Sequence, residues 1–129
     1  METSFEASVP GTPLGVRMVR SEMTAMAASC GMDADAVADV RLAVTEAATN
    51  AVMHAYAETA GELTVSAVAR DGELAIVIGD AGTGFVEGRD SPGLGVGLSI
   101  IATVAQRLKI VSNPAGTEIH MAFPCPNAA

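Results

Sequence analysis

Three polar residues that could serve a catalytic or metal-binding site recur at a spacing of four in the segment RLAVTEAATNAVMHAY. Glu46, Asn50 and His54 share one face if this alanine-rich segment is helical, because residues four apart are neighbours on a helix surface. A carboxylate can take a proton from a hydroxyl group, and an amide oxygen is a suitable ligand for Mg²⁺. Asn is a poor residue for a helix interior. The pattern therefore indicates a functional site, with a solvated polar stripe as the alternative.

A second cluster lies in IVIGDAGTGF, residues 76–85. Asp80 ends an apolar strand and is followed by Gly82 and Gly84. A carboxylate can accept a hydrogen bond from an exocyclic amine such as that of adenine. Glycines allow a flat ring or a phosphate to approach the backbone. The alternative interpretation is an ordinary glycine-rich turn after a strand.

A third cluster, SPGLGVGLSII, places Gly93, Gly95 and Gly97 where a loop enters a helix. Free backbone N–H groups and the helix dipole favour phosphate binding at such a position. The segment does not fit the dinucleotide-binding fingerprint, because a long loop rather than a strand precedes it. The chain also has no Gly-x-x-x-x-Gly-Lys-Ser/Thr motif, which excludes a P-loop.

The elements that must position these clusters follow from periodicity and turn residues. Alternation predicts strands at 3–9, 62–70, 73–79, 109–113 and 117–124, and helical spacing predicts helices at 13–30, about 34–57 and 94–109. Hairpins join several strands, so the sheet should be mixed or antiparallel. We predict an α+β fold, a two-layer sandwich with about three helices on one face of the sheet. Residues 1–129 should form a single domain, with a frayed tail from Cys125.

Composition narrows the class of protein. The 129 residues are 50% hydrophobic but only 3% aromatic, which predicts an aliphatic core, and the net charge is −8. An acidic chain does not suit direct binding to nucleic acid. No apolar run approaches the ~20 residues of a membrane span, and the N-terminus is no signal peptide, so we expect a cytoplasmic protein without membrane contact. Cys30 and Cys125 are isolated and are expected to be reduced thiols.

Taken together and in this order, the three clusters resemble the GHKL ATPases, whose nucleotide site is the Bergerat fold. The helix from Glu46 to His54 is similar to their N box, the segment at Asp80 to their G1 box, and the segment from Gly93 to their G2 box. Gly116-Thr117 stands at the position where members of the superfamily place a hydroxyl group near the adenine ring. The resemblance implies ATP-binding residues at Asn50, His54, Asp80, Gly82, Gly84, Gly93, Gly95, Gly97 and Thr117.

Within that superfamily the chain looks like the anti-sigma-factor serine/threonine-protein kinases, which are single ATPase domains of about this length. The resemblance implies that Glu46 is the general base on a substrate hydroxyl and that Asn50 holds Mg²⁺ at the phosphates of ATP. It implies that Asp80 binds the adenine amine with help from Thr117. The glycines would allow close packing on the nucleotide and form a lid. His54 would contact phosphate or pack within the site.

The same resemblance implies the partners of the protein. These are a sigma factor, which would be sequestered, and an STAS-type anti-sigma-factor antagonist, which would be phosphorylated. It also implies a homodimer formed through the first strand and helix. Two alternatives remain from the sequence. One is a switch kinase of the same fold that does not bind sigma, favoured by the GLGVGL segment. The other is a non-catalytic nucleotide-gated binding module, because the short lid carries Glu87 and Asp90.

Overall fold

A five-stranded antiparallel sheet forms one layer of the molecule. The computed structural model describes residues 2–55, 61–81 and 94–128, with residues 54, 55 and 94–96 described by their backbone alone. The strands are β1 (Thr3–Pro10), β2 (Glu62–Arg70), β3 (Glu73–Asp80), β4 (Arg107–Asn113) and β5 (Gly116–Pro124). Their order across the sheet is β1-β2-β3-β5-β4, so β1 and β4 are the edges. Every pairing is antiparallel, which resolves the predicted choice between mixed and antiparallel.

Three helices form the second layer. They are α1 (Pro13–Ser29), α2 (Ala34–Asn50) and α3 (Leu94–Val104), with a π-helical turn at Ala51–Ala55 and a short 3-10 turn at Pro126–Ala128. Pro13 lies at the first position of α1, where its missing N–H is harmless. The Asp33 carboxylate caps α2 by accepting a hydrogen bond from the N–H of Ala36 at 2.8 Å. The predicted α+β two-layer arrangement is therefore confirmed.

An aliphatic core lies between the two layers. Alternate residues of the central strands point toward the helices, as their alternating burial records. Burying such side chains is the main favourable contribution to folding, at roughly 1.5–3 kcal/mol for each large one. The largest fully buried side chains are Met23, Leu63, Leu74, Ile76, Ile78 and Ile101.

Local turn chemistry fixes the register of the central hairpin. Asp71 has φ 55° and Gly72 has φ 78°, which are the positive values that a two-residue type I′ turn requires. This turn sets Arg70 opposite Glu73 and Leu63 opposite Asp80. A shift of one residue would turn the buried side chains of both strands to the opposite face. The turn therefore determines which face Asp80 joins.

The third helix and the last two strands differ from the prediction. Helix α3 ends at Val104, whereas the periodicity extended it to Lys109, and β4 begins at Arg107. The N–H of Gln106 donates to the carbonyl of Ala122, and the Arg107 guanidinium bonds the Glu73 carboxylate at 2.7 Å. These contacts with distant strands outweigh the local helical pattern, so the predicted helix end is wrong.

The C-terminal residues are docked rather than frayed, which also corrects the prediction. The N–H of Asn127 donates to the Cys30 carbonyl at 3.0 Å, and its side-chain amide donates to the Ser29 carbonyl at 3.1 Å. The N–H of Gly72 donates to the carbonyl of Ala128 at 2.7 Å. The 3-10 turn thus ties the end of α1 to the β2–β3 turn.

The two cysteines meet beneath this docked segment as free, buried thiols. Burial raises the pKa of the Cys30 thiol to about 12, and the neighbouring Cys125 thiol contributes to the increase. The Cys30 thiol is therefore protonated at neutral pH, and a protonated thiol is a poor nucleophile. Within the described ranges, no helix is long and apolar enough to cross a membrane.

Candidate functional site

Helix α2 holds Glu46 and Asn50 at the boundary between core and surface. Its inner side is apolar and fully buried, with Ala43, Val44 and Ala47 against the other elements. Glu46 is half-buried, and only 7% of Asn50 is exposed. Since the core fixes the rotation of the helix, the carboxylate and the amide are directed to one place. The structure therefore brings together the first two residues of the predicted helix face.

The backbone of α3 packs directly against these two side chains at Gly97. A Cβ atom at Gly97 would lie 3.1 Å from Oδ1 and Nδ2 of Asn50 and 3.1 Å from Oε2 of Glu46. Such distances are shorter than ordinary carbon contacts of about 3.5–4.0 Å. A side chain at position 97 would therefore press on both polar groups. Glycine at this position allows α3 to lie close over the acid and the amide.

One polar atom of the Asn50 side chain is completely buried. Its Nδ2 atom is inaccessible to solvent and has no hydrogen-bond partner within the described part of the chain. An unsatisfied buried polar group costs roughly 1–3 kcal/mol of folding free energy. Such a group is retained where a ligand completes its bonds. The observation fits an amide that awaits a bound molecule.

A row of polar side chains crosses the end of the sheet on its helix-facing side. Thr117 on β5 lies directly opposite both Asp80 on β3 and Ser112 on β4. Directly opposed residues of antiparallel strands project to the same face. Thr117 is buried, and its Oγ1 lies 3.0 Å from Oγ of Ser112 in a hydrogen bond. Asp80 and Thr117 are thus neighbours, as the prediction required.

Gly116 makes this close approach possible. Its φ of +148° lies in a region that favours glycine, and a Cβ there would lie 2.1 Å from the carbonyl oxygen of Asp80. No side chain fits at that distance. Gly116 therefore allows the β3 backbone to approach, and Thr117, the next residue, lies directly opposite Asp80.

The remaining predicted residues are covered only in part. Gly95 and Gly97 lie within the first turn of α3, where the backbone is helical. The backbone of His54 lies in the π-helical turn after Asn50, and its side chain lies outside the described residues. Gly82, Gly84 and Gly93 also lie outside the described residues. Their predicted roles stay predictions.

Ser112 is the site residue that the sequence analysis did not single out. Its position in β4 depends on a strand that begins two residues earlier than predicted. With the correct strand start, alternation puts Ser112 on the same face as Leu108 and Ile110. Its hydroxyl then fixes the orientation of the Thr117 hydroxyl. Pairing the two strands across the β4–β5 hairpin, with Asn113 opposite Gly116, would have placed Ser112 opposite Thr117.

The arrangement combines three kinds of chemistry at one end of the molecule. A carboxylate on α2 can accept a proton, an unsatisfied amide beside it can bind an oxyanion or contribute an oxygen to a cation, and a carboxylate–hydroxyl pair can bind a polar ring edge. Among the described residues, no group of three or more His, Cys, Asp or Glu could hold a metal ion. A cation at Asn50 could take further ligands from a bound molecule, as Mg²⁺ commonly takes from phosphates.

Comparison with known proteins identifies the class to which this fold and site belong. The model of the histidine kinase-like ATPase domain matches residues 9–123. The match spans both sides of the site, from β1 to the end of β5. The chain therefore belongs to the family of histidine kinase-like ATPase domains.

Its curated relatives include the serine-protein kinases RsbW. The protein from Bacillus velezensis is 30% identical over 125 residues, which covers 84% of this chain and 78% of the relative. The protein from Bacillus licheniformis is 35% identical over 92 residues, which covers 70% of this chain and 58% of that relative. The chain thus spans between about half and three quarters of the length of such relatives.

Solved structures agree on the fold. The crystal structure of the RsbU and RsbW domains of Rv1364c from Mycobacterium tuberculosis superposes with a TM-score of 0.74 at 24% identity, covering 95% of this chain and 32% of that one. The histidine kinase domain of Erythrobacter litoralis EL346 gives a TM-score of 0.63 at 23% identity, covering 88% and 61%. The resemblance to the GHKL ATPases and to their serine kinases is therefore confirmed. The curated relatives in this family are named serine-protein kinases.

Proposed function

We propose that the chain transfers the γ-phosphoryl group of ATP to a serine or threonine hydroxyl of an STAS-type anti-sigma-factor antagonist. We further propose that it binds and sequesters a sigma factor in the cytoplasm. The observation that carries the proposal is the meeting of Glu46 and Asn50 beneath Gly97, with the Asp80–Thr117 pair on the adjoining end of the sheet. The RsbW relatives, named serine-protein kinases, support a serine hydroxyl of a protein as the acceptor, and the antagonist and the sigma factor rest on the family resemblance.

Glu46 acts as the general base in this scheme. Its carboxylate accepts the proton of the acceptor hydroxyl while the hydroxyl oxygen forms a bond to the γ-phosphorus. The bond between that phosphorus and the bridging oxygen of ADP breaks, and ADP leaves with the electron pair. The proton passes from Glu46 to solvent. A positioned base of this kind contributes about 10²- to 10⁴-fold to a rate.

Asn50 supplies the phosphate end of the nucleotide site. Its amide oxygen would hold Mg²⁺, which neutralises the charge of the phosphates when bound. The unsatisfied Nδ2 then has a phosphate oxygen to bond. Gly93 and Gly95 would place backbone N–H groups at the start of α3, and His54 would lie beside the phosphates. These last assignments rest on the family resemblance.

Asp80 and Thr117 supply the adenine end. The Asp80 carboxylate accepts a hydrogen bond from the exocyclic amine, and the Thr117 hydroxyl, held by Ser112 at 3.0 Å, bonds the neighbouring ring nitrogen directly or through water. Gly82 and Gly84, which follow Asp80, would let the ring lie against the backbone. Guanine has a carbonyl oxygen at the ring position of the adenine amine, so the Asp80 carboxylate would face an acceptor there instead of a donor.

Transfer and binding are tested separately. Radiolabelled ATP and Mg²⁺ are incubated with the chain and each STAS-type antagonist protein encoded by the same genome, and phosphoserine and phosphothreonine are located by mass spectrometry. We expect one antagonist to be labelled. A pull-down assay with purified sigma factors measures binding. If an antagonist is labelled but the chain binds no sigma factor, a switch kinase is favoured. Nucleotide binding without transfer would favour a binding module.

Asp80→Asn should abolish selective binding of ATP. Asn keeps only one acceptor oxygen, places an NH₂ donor beside the ring and lacks the negative charge that strengthens the bond from the adenine amine, so we expect affinity to fall about tenfold to a hundredfold. Titration calorimetry with ATP and GTP measures the effect. Asp71→Asn, at the opposite end of β3, is the matched control and should bind ATP like the wild type. Unchanged selectivity for ATP in Asp80→Asn would refute the adenine assignment.

We also propose that two copies of the chain associate through β1 and α1. Strand β1 is an open edge of the sheet, and such edges pair readily with another chain. Beside it lies a groove of about 400 Å³ whose apolar lining includes Phe5, Val9 and Met18. Met18 is 42% exposed, which is high for a large apolar side chain. A dimer would cover this groove.

Met18→Glu should convert the dimer into a monomer. A charge in the apolar groove would have to be desolvated on association, at a cost of several kcal/mol. Light scattering after size-exclusion chromatography should give twice the 13.0 kDa chain mass for the wild type and the chain mass for the variant. Met18→Leu preserves the apolar surface and should remain dimeric. A dimeric Met18→Glu would place the contact elsewhere.

A further inference from the structure

A pair of hydroxyl groups ends the row of polar side chains on the helix-facing side of the sheet. Across β2, β3, β5 and β4, the directly opposed residues of this row are Leu63, Asp80, Thr117 and Ser112. Leu63 is apolar and fully buried, so the polar part of the row runs from Asp80 to the β4 edge. Oγ of Ser112 lies 3.0 Å from Oγ1 of Thr117, and either atom could be the donor. The direction of this bond determines what Thr117 can offer to a bound molecule.

The two hydroxyl groups differ in their access to solvent. Only 5% of Thr117 is exposed, whereas Ser112 is exposed on the edge strand. A hydroxyl group has one proton and two lone pairs. If Thr117 gave its proton to Ser112, only its lone pairs would remain for a ligand. If Ser112 is the donor, the Thr117 proton is available to the ligand.

We infer that Ser112 is a positioning residue for adenine, because it donates its proton to Thr117 and makes the Thr117 hydroxyl a donor to the unprotonated ring nitrogen beside the adenine amine. The inference rests on the proposed function and deepens it by naming a further residue of the nucleotide site. Two hydrogen bonds that run in one direction polarise and strengthen each other. A water molecule between Thr117 and the ring would preserve the direction. Ser112 therefore contributes to ATP affinity without touching the nucleotide.

Asp80 and the hydroxyl pair differ in what they can exclude. A carboxylate only accepts hydrogen bonds, so it suits the adenine amine and faces an acceptor in guanine. The hydroxyl pair can reverse its direction: where a ring carries an N–H group at this position, Thr117 accepts from the ring and donates to Ser112. Rejection of guanine is thus assigned to Asp80, while Ser112 supports the binding of adenine. Substitutions at the two positions should therefore have different effects on nucleotide selectivity.

The test measures the Kd of the full chain for ATP and for 1-deaza-ATP, in which a C–H group replaces that ring nitrogen, by titration calorimetry with Mg²⁺. The wild type should bind 1-deaza-ATP about tenfold more weakly than ATP. Ser112→Ala should weaken ATP binding about threefold to tenfold, as expected for the loss of one neutral hydrogen-bond partner. Its Kd for 1-deaza-ATP should stay within about twofold of the wild-type value. Ser112→Thr keeps the hydroxyl group and should restore the Kd for ATP, and Ser112→Ala added to Thr117→Val should have no further effect.

Ser66→Ala is the matched control, because Ser66 is a half-buried serine of β2 on the opposite face of the sheet. It should bind both nucleotides like the wild type. The inference is overturned if Ser112→Ala leaves ATP affinity unchanged, or if it weakens ATP and 1-deaza-ATP equally, which would indicate a general distortion of the site. It is also overturned if the wild type binds the two nucleotides equally, because Thr117 would then not donate to the ring. Failure of the proposed function has a different result, namely a wild type that binds ATP but labels no antagonist.

Discussion

Glu46→Gln should reduce phosphoryl transfer by about 10²- to 10⁴-fold while ATP binding stays near the wild-type value. Gln has nearly the same shape as Glu, so the packing of α3 against position 46 at Gly97 is retained. The substitution removes the group that accepts the hydroxyl proton and leaves the nucleotide contacts in place. Single-turnover transfer from radiolabelled ATP measures the rate, and calorimetry measures ATP affinity.

Asp39→Asn is the control for this charge change. Asp39 is half-buried on α2, two turns before Glu46, so the variant loses the same charge from the same helix without touching the site. We expect its rate to remain within about twofold of the wild type. A similar loss in both variants would mean that the negative charge of the helix, rather than a positioned base, supports transfer. A Glu46→Gln protein with normal transfer would remove the base assignment.

The features that the sequence predicted well are those encoded by local chemistry. Asp71-Gly72 specified the turn between β2 and β3 because few residue pairs accept two positive φ values. The sequence offered Asp33 or Asp35 as the cap of α2, and the structure places it at Asp33, whose carboxylate accepts from a free N–H at the helix end. Glu46 and Asn50 were singled out because a polar pair four residues apart contrasts with an alanine-rich helix, and the structure brings the two side chains together while their roles stay predictions.

The features that the sequence analysis got wrong depend on contacts between distant segments. The predicted end of α3 was wrong because the Arg107 side chain bonds Glu73 and its backbone belongs to β4, which pairs with β5. Neither contact appears in the local sequence pattern. The docked C-terminus depends on Asn127 meeting the end of α1. The Ser112–Thr117 bond required the correct strand start. In each case tertiary contacts outweighed local propensity.

The role of Gly97 was predicted only in part from the sequence. Its glycine was visible in the sequence and was assigned to a lid over phosphates, on the basis of the family resemblance. The structure adds that the backbone at this position packs on both polar side chains of α2.

Asn50→Ala should affect stability and binding in opposite directions. The variant removes the buried Nδ2 that lacks a partner, which relieves roughly 1–3 kcal/mol, and it replaces a poor helix former with the best one, worth about 0.5 kcal/mol. We therefore expect the nucleotide-free variant to unfold at a Tm several degrees above that of the wild type. Its affinity for ATP in Mg²⁺ should fall at least about tenfold and lose its dependence on the cation.

Thr49→Ala is the matched control, because Thr49 is the half-buried neighbour of Asn50 on the same helix. It gains helix propensity without removing the amide, so a small rise in Tm with normal Mg²⁺-dependent binding is expected. Thermal unfolding by circular dichroism and calorimetry with and without Mg²⁺ distinguish the two variants. A destabilised Asn50→Ala would mean that the amide is a structural residue of the core. A stabilised variant that no longer binds would mean that the protein maintains an unsatisfied buried group because ATP and its cation complete it.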